Sequence, residues 1–283
     1  VAENREVNLE APNDALQQLS LSKVSSNDND VPPSPSTNGE VAPSWTDDDL
    51  FKQVSPNEEC PICMLPLPLN GEQQRYKSCC GKTLCMGCIH AIEAEDKRST
   101  ICPFCRSPVA TLHSEDVERI NKRAEANDAE AIYNLGCFYR EGRIGLRQDC
   151  AKAMELWFRA GELGCTAAYS SIGYAYDSGE GVERDMKKAK YYWELAAMGG
   201  NVNARYNVGL LEGCAGNFDR AMKHFMITAG AGHDDSLTKI KEGFLHGAAT
   251  KDNFEKALRA HKEAKDEMKS NQREAAAVAR GRS

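Results

Sequence analysis

The sequence predicts a small metal-stabilised α+β finger followed by an all-α helical solenoid, and three observations carry that reading. Eight of the twelve cysteines fall between Cys60 and Cys105. Beyond them, small and aromatic residues recur at intervals of 32 to 36 positions. The first fifty residues hold ten acidic and two basic side chains, so the net charge of −7 belongs to a leading tail and the remaining chain is close to neutral at +1. A chain of 283 residues with 41% hydrophobic side chains has room for two modest folded units.

Residues 1–56 read as an acidic, largely disordered tail. The stretch SSNDNDVPPSPSTNG joins acidic charge to little apolar area, which leaves nothing to offset the entropy of ordering the chain. Before it, NDALQQLSLSKV aligns Leu16, Leu19 and Val24 in part, as a short docking helix or as further disorder. The opening VAENREVNLE lacks a basic region followed by an apolar run, so no secretory signal is expected. No stretch approaches the roughly 20 apolar residues of a membrane span.

Residues 57–110 carry the chemistry. Their cysteines are Cys60-x2-Cys63, the adjacent Cys79 and Cys80, Cys85-x2-Cys88 and Cys102-x2-Cys105. A two-residue spacing lets a tight knuckle present two thiolates to one ion, and four thiolates form the tetrahedral shell of a structural zinc. Eight cysteines suffice for two closed Zn2+ sites, with no open coordination position for Lewis-acid chemistry. Two consecutive sites and two crossed sites fit the spacing equally well. Clustered thiolates of this kind belong in a reducing compartment, so an intracellular, cytoplasmic and/or nuclear setting is expected.

This segment resembles a RING-type zinc finger. The resemblance implies the crossed arrangement, with Cys60, Cys63, Cys85 and Cys88 at one zinc and Cys79, Cys80, Cys102 and Cys105 at the other. Most members place a histidine after the third cysteine, where this chain has Lys82 in CCGKTLC. Lysine at neutral pH has no free lone pair for zinc. Cys79 and Cys80 together supply the missing ligand, as in an all-cysteine variant; the competing assignment uses His90 and releases one of them. The resemblance further implies that Ile62, Ile101 and Pro103 contact a ubiquitin-conjugating enzyme and that Arg106 orients its bound ubiquitin. No covalent nucleophile is implied, because the thiolates are committed to metal.

After a helical connector at 111–123, residues 124–270 read as helical repeats. Leu135-Gly136 corresponds to Ile172-Gly173 and Val208-Gly209, and Ala153, Ala189, Ala221 and Ala257 recur at 36, 32 and 36 residues. Four residues after those alanines come Trp157, Trp193, Phe225 and His261. Small residues let paired helices approach, aromatics fill the space between them, and Gly142 or Gly179 turns the chain. The pattern resembles the Sel-one-like branch of the tetratricopeptide-like repeats, with three evident units and a degraded fourth in which Lys241 and His261 replace the small and aromatic anchors. Residues 271–283 read as a flexible C-terminus.

The combined expectation is a zinc-stabilised RING-like finger joined to a Sel-like/TPR-like solenoid. Such a protein would act as a RING-type ubiquitin-protein ligase, with the repeats binding a protein substrate or adaptor, or as a catalytically inactive scaffold. A nucleic-acid partner is not expected. Six basic residues near the cysteines, Arg75, Lys77, Lys82, Lys97, Arg98 and Arg106, are matched by Glu58, Glu59, Glu72, Glu93, Glu95 and Asp96, whereas phosphate binding recruits concentrated positive charge.

Overall fold

A computed structural model describes residues 45–52, 58–95 and 100–281. The tail at 1–44, with its expected disorder and the NDALQQLSLSKV segment, lies outside the described residues. The elements are α1 (Asp47–Phe51), a 3-10 turn (Gly71–Gln73), β1 (Gln74–Lys77), β2 (Lys82–Cys85), α2 (Met86–Glu95) and α3 (His113–Glu125). The repeats follow as α4 (Ala129–Glu141), α5 (Cys150–Glu162), α6 (Thr166–Ser178), α7 (Met186–Met198), α8 (Val202–Cys214), α9 (Phe218–Gly230), α10 (Asp234–Leu245) and α11 (Lys251–Glu267), and α12 (Asn271–Arg280) closes the chain. No described helix is long and apolar enough to cross a membrane.

In the finger, β1 and β2 pair antiparallel, with Gln74 opposite Cys85 and Lys77 opposite Lys82. Their turn carries Cys79 and Cys80 and closes through Gly81, whose φ of +66° is open to glycine at no steric cost. Leu67, Pro68, Leu84 and Ile89 are among its buried apolar side chains. That is a small core for about fifty residues, and most of what lies around it is sulfur.

The repeats show why their anchors recur. A Cβ on Gly136 would stand 2.6 Å from Trp157 Nε1, one on Gly173 2.4 Å from Trp193 Cδ1, and one on Gly209 2.7 Å from Phe225 Cε1. Each glycine therefore receives the aromatic ring of the second helix of its pair, and Ala153, Ala189, Ala221 and Ala257 are all buried. The return turns are equally repetitive. Gly142 and Gly179 cap α4 and α6 in the left-handed region, and the side chains of Asp149 and Asp185 accept from Lys152 N and Lys188 N to start α5 and α7. Asp149 N and Asp185 N donate to Tyr139 O and Tyr176 O at 2.8 and 2.9 Å, which fixes each turn to the helix before it. In the fourth pair Lys241 is exposed and His261 bonds Asp234 at 2.9 Å, so the close glycine contact is gone.

Two expectations need correcting. The C-terminus is not a flexible end from residue 271: α12 is capped by Ser270, whose hydroxyl accepts from Arg273 N at 3.2 Å, and it packs on α2. Its REAAAVAR run favours helix through alanine's high propensity, and one face finds a partner. The acidic tail, likewise, is ordered in its described part. Residues 46–49 form a capping box, and Leu50 is buried against the repeats.

The finger and the array are in direct contact. Ser78 Oγ donates to Asp116 Oδ1 of α3 at 2.6 Å, Tyr76 packs against the core of the first repeats, and the Arg123 guanidinium lies against Gly81 while bonding Asp128. The first and last helices of the helical part thus both touch the finger.

Candidate metal centre

The two CxxC knuckles at the edges of the finger share one backbone design. Cys60 N donates to Leu65 O and Met64 N to Cys60 O; Cys102 N donates to Ser107 O and Arg106 N to Cys102 O. The residue after each second cysteine, Met64 with φ 56° and Arg106 with φ 64°, is left-handed, a conformation side chains avoid unless the surroundings impose it. The hairpin supplies the other pairs. Its turn presents Cys79 and Cys80, and β2 runs directly into α2 so that Cys85 ends the strand and Cys88 lies in the first turn of the helix.

These four pairs interleave. Cys60, Cys63, Cys85 and Cys88 form one cluster and Cys79, Cys80, Cys102 and Cys105 the other, each with all sulfurs within 4.8 Å of one another. Sγ–Sγ distances are 3.9 Å for Cys60–Cys88, 3.8 Å for Cys63–Cys85, 4.0 Å for Cys80–Cys102 and 3.5 Å for Cys79–Cys105. Four sulfurs held about 2.3 Å from a central zinc form a tetrahedron with edges of about 3.8 Å, so both donor sets fit such an ion. His90 lies on α2 and belongs to neither cluster. Cys137, Cys150, Cys165 and Cys214 of the array also stand apart from both.

The thiols differ as acids. Burial disfavours the Cys60 thiolate, but hydrogen bonds from the Cys85, Cys63 and Ile62 amides outweigh it and bring the group to about 7. Cys105 is brought to about 6 against a similar opposing effect, chiefly by the Ser107 hydroxyl and amide. Burial pushes Cys80 up to about 11 and raises Cys79, Cys85 and Cys88 as well. Each cluster therefore contains a thiol shifted toward its thiolate form. The raised thiols, Cys79, Cys80, Cys85 and Cys88, release their protons when a cation supplies the compensating charge, which makes loading pH-dependent.

The structure adds a group that the sequence reading missed. Arg273 of α12 reaches the first knuckle, with Nη1 donating to Pro66 O at 2.8 Å and Nη2 lying 3.6 Å from Cys63 Sγ. The approach is close because α2 has a glycine there: a Cβ on Gly87 would meet the Arg273 backbone N at 2.8 Å. A cationic donor beside a four-thiolate shell stabilises its negative charge. Arg273→Ala is expected to weaken metal retention at this cluster by about 10- to 100-fold in a chelator competition. The sequence signal was the arginine three residues after a serine N-cap, with nothing local to name its partner.

The remaining predicted residues lie on or beside the knuckles. Ile62 and Ile101 are 36% and 37% exposed, Pro103 is half-buried and Arg106 is exposed. Ile101 also pairs its backbone with Pro108 in an antiparallel bridge, as Glu59 does with Pro66 at the first knuckle.

Comparison with known proteins bears on the array. The family described as Sel1 repeat matches residues 129–165 and 166–201, which hold α4–α5 and α6–α7. A 98-residue stretch, 34% of this chain, is 37% identical to the ERAD-associated E3 ubiquitin-protein ligase component HRD3B of Arabidopsis thaliana and covers 15% of that protein. A 131-residue stretch, 44% of this chain, is 24% identical to chitin synthase regulatory factor 3 of Schizosaccharomyces pombe and covers 14% of it. The chain thus spans only about a seventh of the length of these relatives. Among solved structures, a Sel1 repeat protein from Oxalobacter formigenes aligns with a TM-score of 0.48 and 25% identity over 54% of this chain and 64% of its own. A protective antigen of uropathogenic Escherichia coli, described as displaying an SLR fold, aligns with a TM-score of 0.48 and 26% identity over 54% of this chain and 33% of its own.

Proposed function

We propose that the chain is a two-module interaction scaffold in which two Zn2+ ions shape the finger and the repeat array binds a protein partner. The observation that carries this reading is the pair of interleaved four-sulfur clusters. They offer structural coordination with no open position, beside an array whose recurring residues serve packing. The relatives' names agree with an accessory role: one is called a component of a ubiquitin-protein ligase, the other a regulatory factor. Reduced thiolates call for a reducing, intracellular compartment.

A second reading, the RING-type ubiquitin-protein ligase, is favoured by one observation. Ile62 and Ile101 stay more than a third exposed at the knuckles, and Arg106 stays exposed directly after the last cysteine. Under this reading Ile62, Ile101 and Pro103 dock a ubiquitin-conjugating enzyme and Arg106 holds its ubiquitin in an attack-ready orientation. Catalysis would be positional, since the thioester is activated on the partner.

A reconstituted reaction with a panel of ubiquitin-conjugating enzymes, with zinc content measured in parallel, separates the two. The scaffold reading expects no stimulation by any of them while zinc stays at two per chain. Stimulated chain formation that falls at least about tenfold with Ile62→Ala and with Arg106→Ala, zinc unchanged, overturns it and establishes the ligase.

A further inference from the structure

The segment Trp45–Phe51 behaves as a ligand of the repeat array. Five helical residues are too few to be stable in isolation, so the shape of α1 is imposed by what it lies on. Its contacts are those of a short bound peptide. Leu50 is 2% exposed. Trp45 meets the Tyr191 ring at 5.1 Å and Phe51 the His224 ring at 4.7 Å. Arg220 pairs with Asp47 through both carboxylate oxygens, and Arg220 and Lys223 sit over the Phe51 ring at 5.4 and 5.2 Å.

The receiving groove is built from polar groups that the repeat packing does not use up. Arg205 of α8 is 3% exposed; one nitrogen holds Ala197 O at 2.6 Å and the other holds Leu50 O at 2.6 Å, so half of a buried guanidinium is spent on the segment. His224 of α9 is fully buried beneath Phe51, and neither ring nitrogen has a hydrogen-bond partner among the described residues. A buried polar ring left without a partner is costly in a packed core and ordinary in a binding site.

We infer that the groove across α7, α8 and α9 is a recognition site for short protein segments of the pattern aromatic-x-acidic-x-x-leucine-aromatic, held in this chain by its own residues 45–51 and opened to a partner protein carrying the same pattern. Arg220 selects the acidic position, Arg220 and Lys223 cover the final aromatic ring, the leucine is buried, and Arg205 reads the carbonyl at the end of the short helix. A tethered segment competes at an effective concentration on the order of millimolar, so a partner must offer better anchors or arrive when the segment is released. This deepens the interaction reading of the array and is independent of the finger: it is measured with no conjugating enzyme present, so the two can fail separately.

The test uses a fluorescein-labelled peptide of residues 43–52 and the full-length chain, read by anisotropy. Leu50→Asp in the chain frees the groove, and a second variant, Trp45→Ala with Phe51→Ala, frees it without placing a charge in the floor. The peptide is expected to bind both variants at least about tenfold more tightly than the parental chain. Adding Arg220→Glu to either variant should abolish that binding, and a peptide carrying the Leu50→Asp change should not bind. No binding by a variant that melts like the parent, or equal binding by all chains regardless of Arg220, overturns the inference.

Discussion

Chelation of the metal from the intact chain is expected to unfold residues 58–110 while the repeat helices keep their structure. The finger's apolar core is a handful of side chains, and a domain of this size rarely supplies more than a few kcal/mol from burial alone. A structural Zn2+ contributes about 10–16 kcal/mol of apparent binding energy that appears only when the ligands are gathered, so under the proposed zinc-bearing reading metal binding and folding would be one event. The clusters interleave, and losing either therefore loosens both: β2 carries Cys85 of one cluster and its turn carries Cys79 and Cys80 of the other. Cys85→Ser is expected to have the same outcome.

Amide hydrogen exchange checks this. After chelation, amides of β1, β2 and α2 should exchange at near-unfolded rates while those of α4 to α9 remain protected. Because α12 packs on α2 and anchors Arg273 at the first knuckle, its protection should vanish with the finger's. Retained protection of β2 in a metal-free chain would show that the finger folds on apolar contacts alone, contrary to this account.

The second large effect is expected in the array. Gly173→Val should destabilise it by about 3 kcal/mol, combining overpacking with loss of a buried hydrogen bond. The new Cβ would stand 2.4 Å from Trp193 Cδ1 and 2.5 Å from Nε1, and that ring is 3% exposed with its N–H donating to Ser170 O at 3.2 Å. Moving the ring breaks that bond inside the core, and moving the helix opens the α6–α7 pair. For an array of this length the melting temperature should fall by about 10 °C. Gly213→Ala is the matched control. Its Cβ would find only Ala221 Cβ at 3.8 Å, an ordinary contact, and the change should be neutral or slightly stabilising. A fall as large for Gly213→Ala as for Gly173→Val would mean that glycine matters here for some reason other than the aromatic contact.

The same two sites mark what was legible. Gly173 and Trp193 were readable because each has counterparts at a fixed interval, and a repeated pair points to a repeated contact. The cysteines were readable by spacing. Their crossing was not, since consecutive and interleaved pairings satisfy the same spacing and only the resemblance favoured the latter. Excluding Lys82 on chemistry left Cys79 and Cys80 for one cluster, and the two lie together there with Cys102 and Cys105. Met64 and Arg106 gave no hint of their left-handed backbone, because neither residue type prefers it; the knuckle hydrogen bonds impose it.

Two segments were misjudged by composition. Residues 45–51 were grouped with an acidic tail because three aspartates offset Trp45, Leu50 and Phe51 in any average, although Thr46 and Asp49 already spell a helix start. Residues 271–280 offered alanines and charges but no broad apolar stripe, and the residues that anchor them, Gln272, Arg273 and Arg280, bond groups more than 180 positions away.

By itself, the sequence determined the set of clustered cysteines, the helical repeat and the order of the two along the chain, because these depend on spacing that recurs or closes locally. Only the tertiary structure decided that α12 buttresses the first cluster and that residues 45–51 fill a groove of the array. Those contacts occur once, between distant positions, and depend on which carbonyls and rings the fold leaves open. A contact made a single time leaves no period in the chain, and its energy exists only after both surfaces have formed.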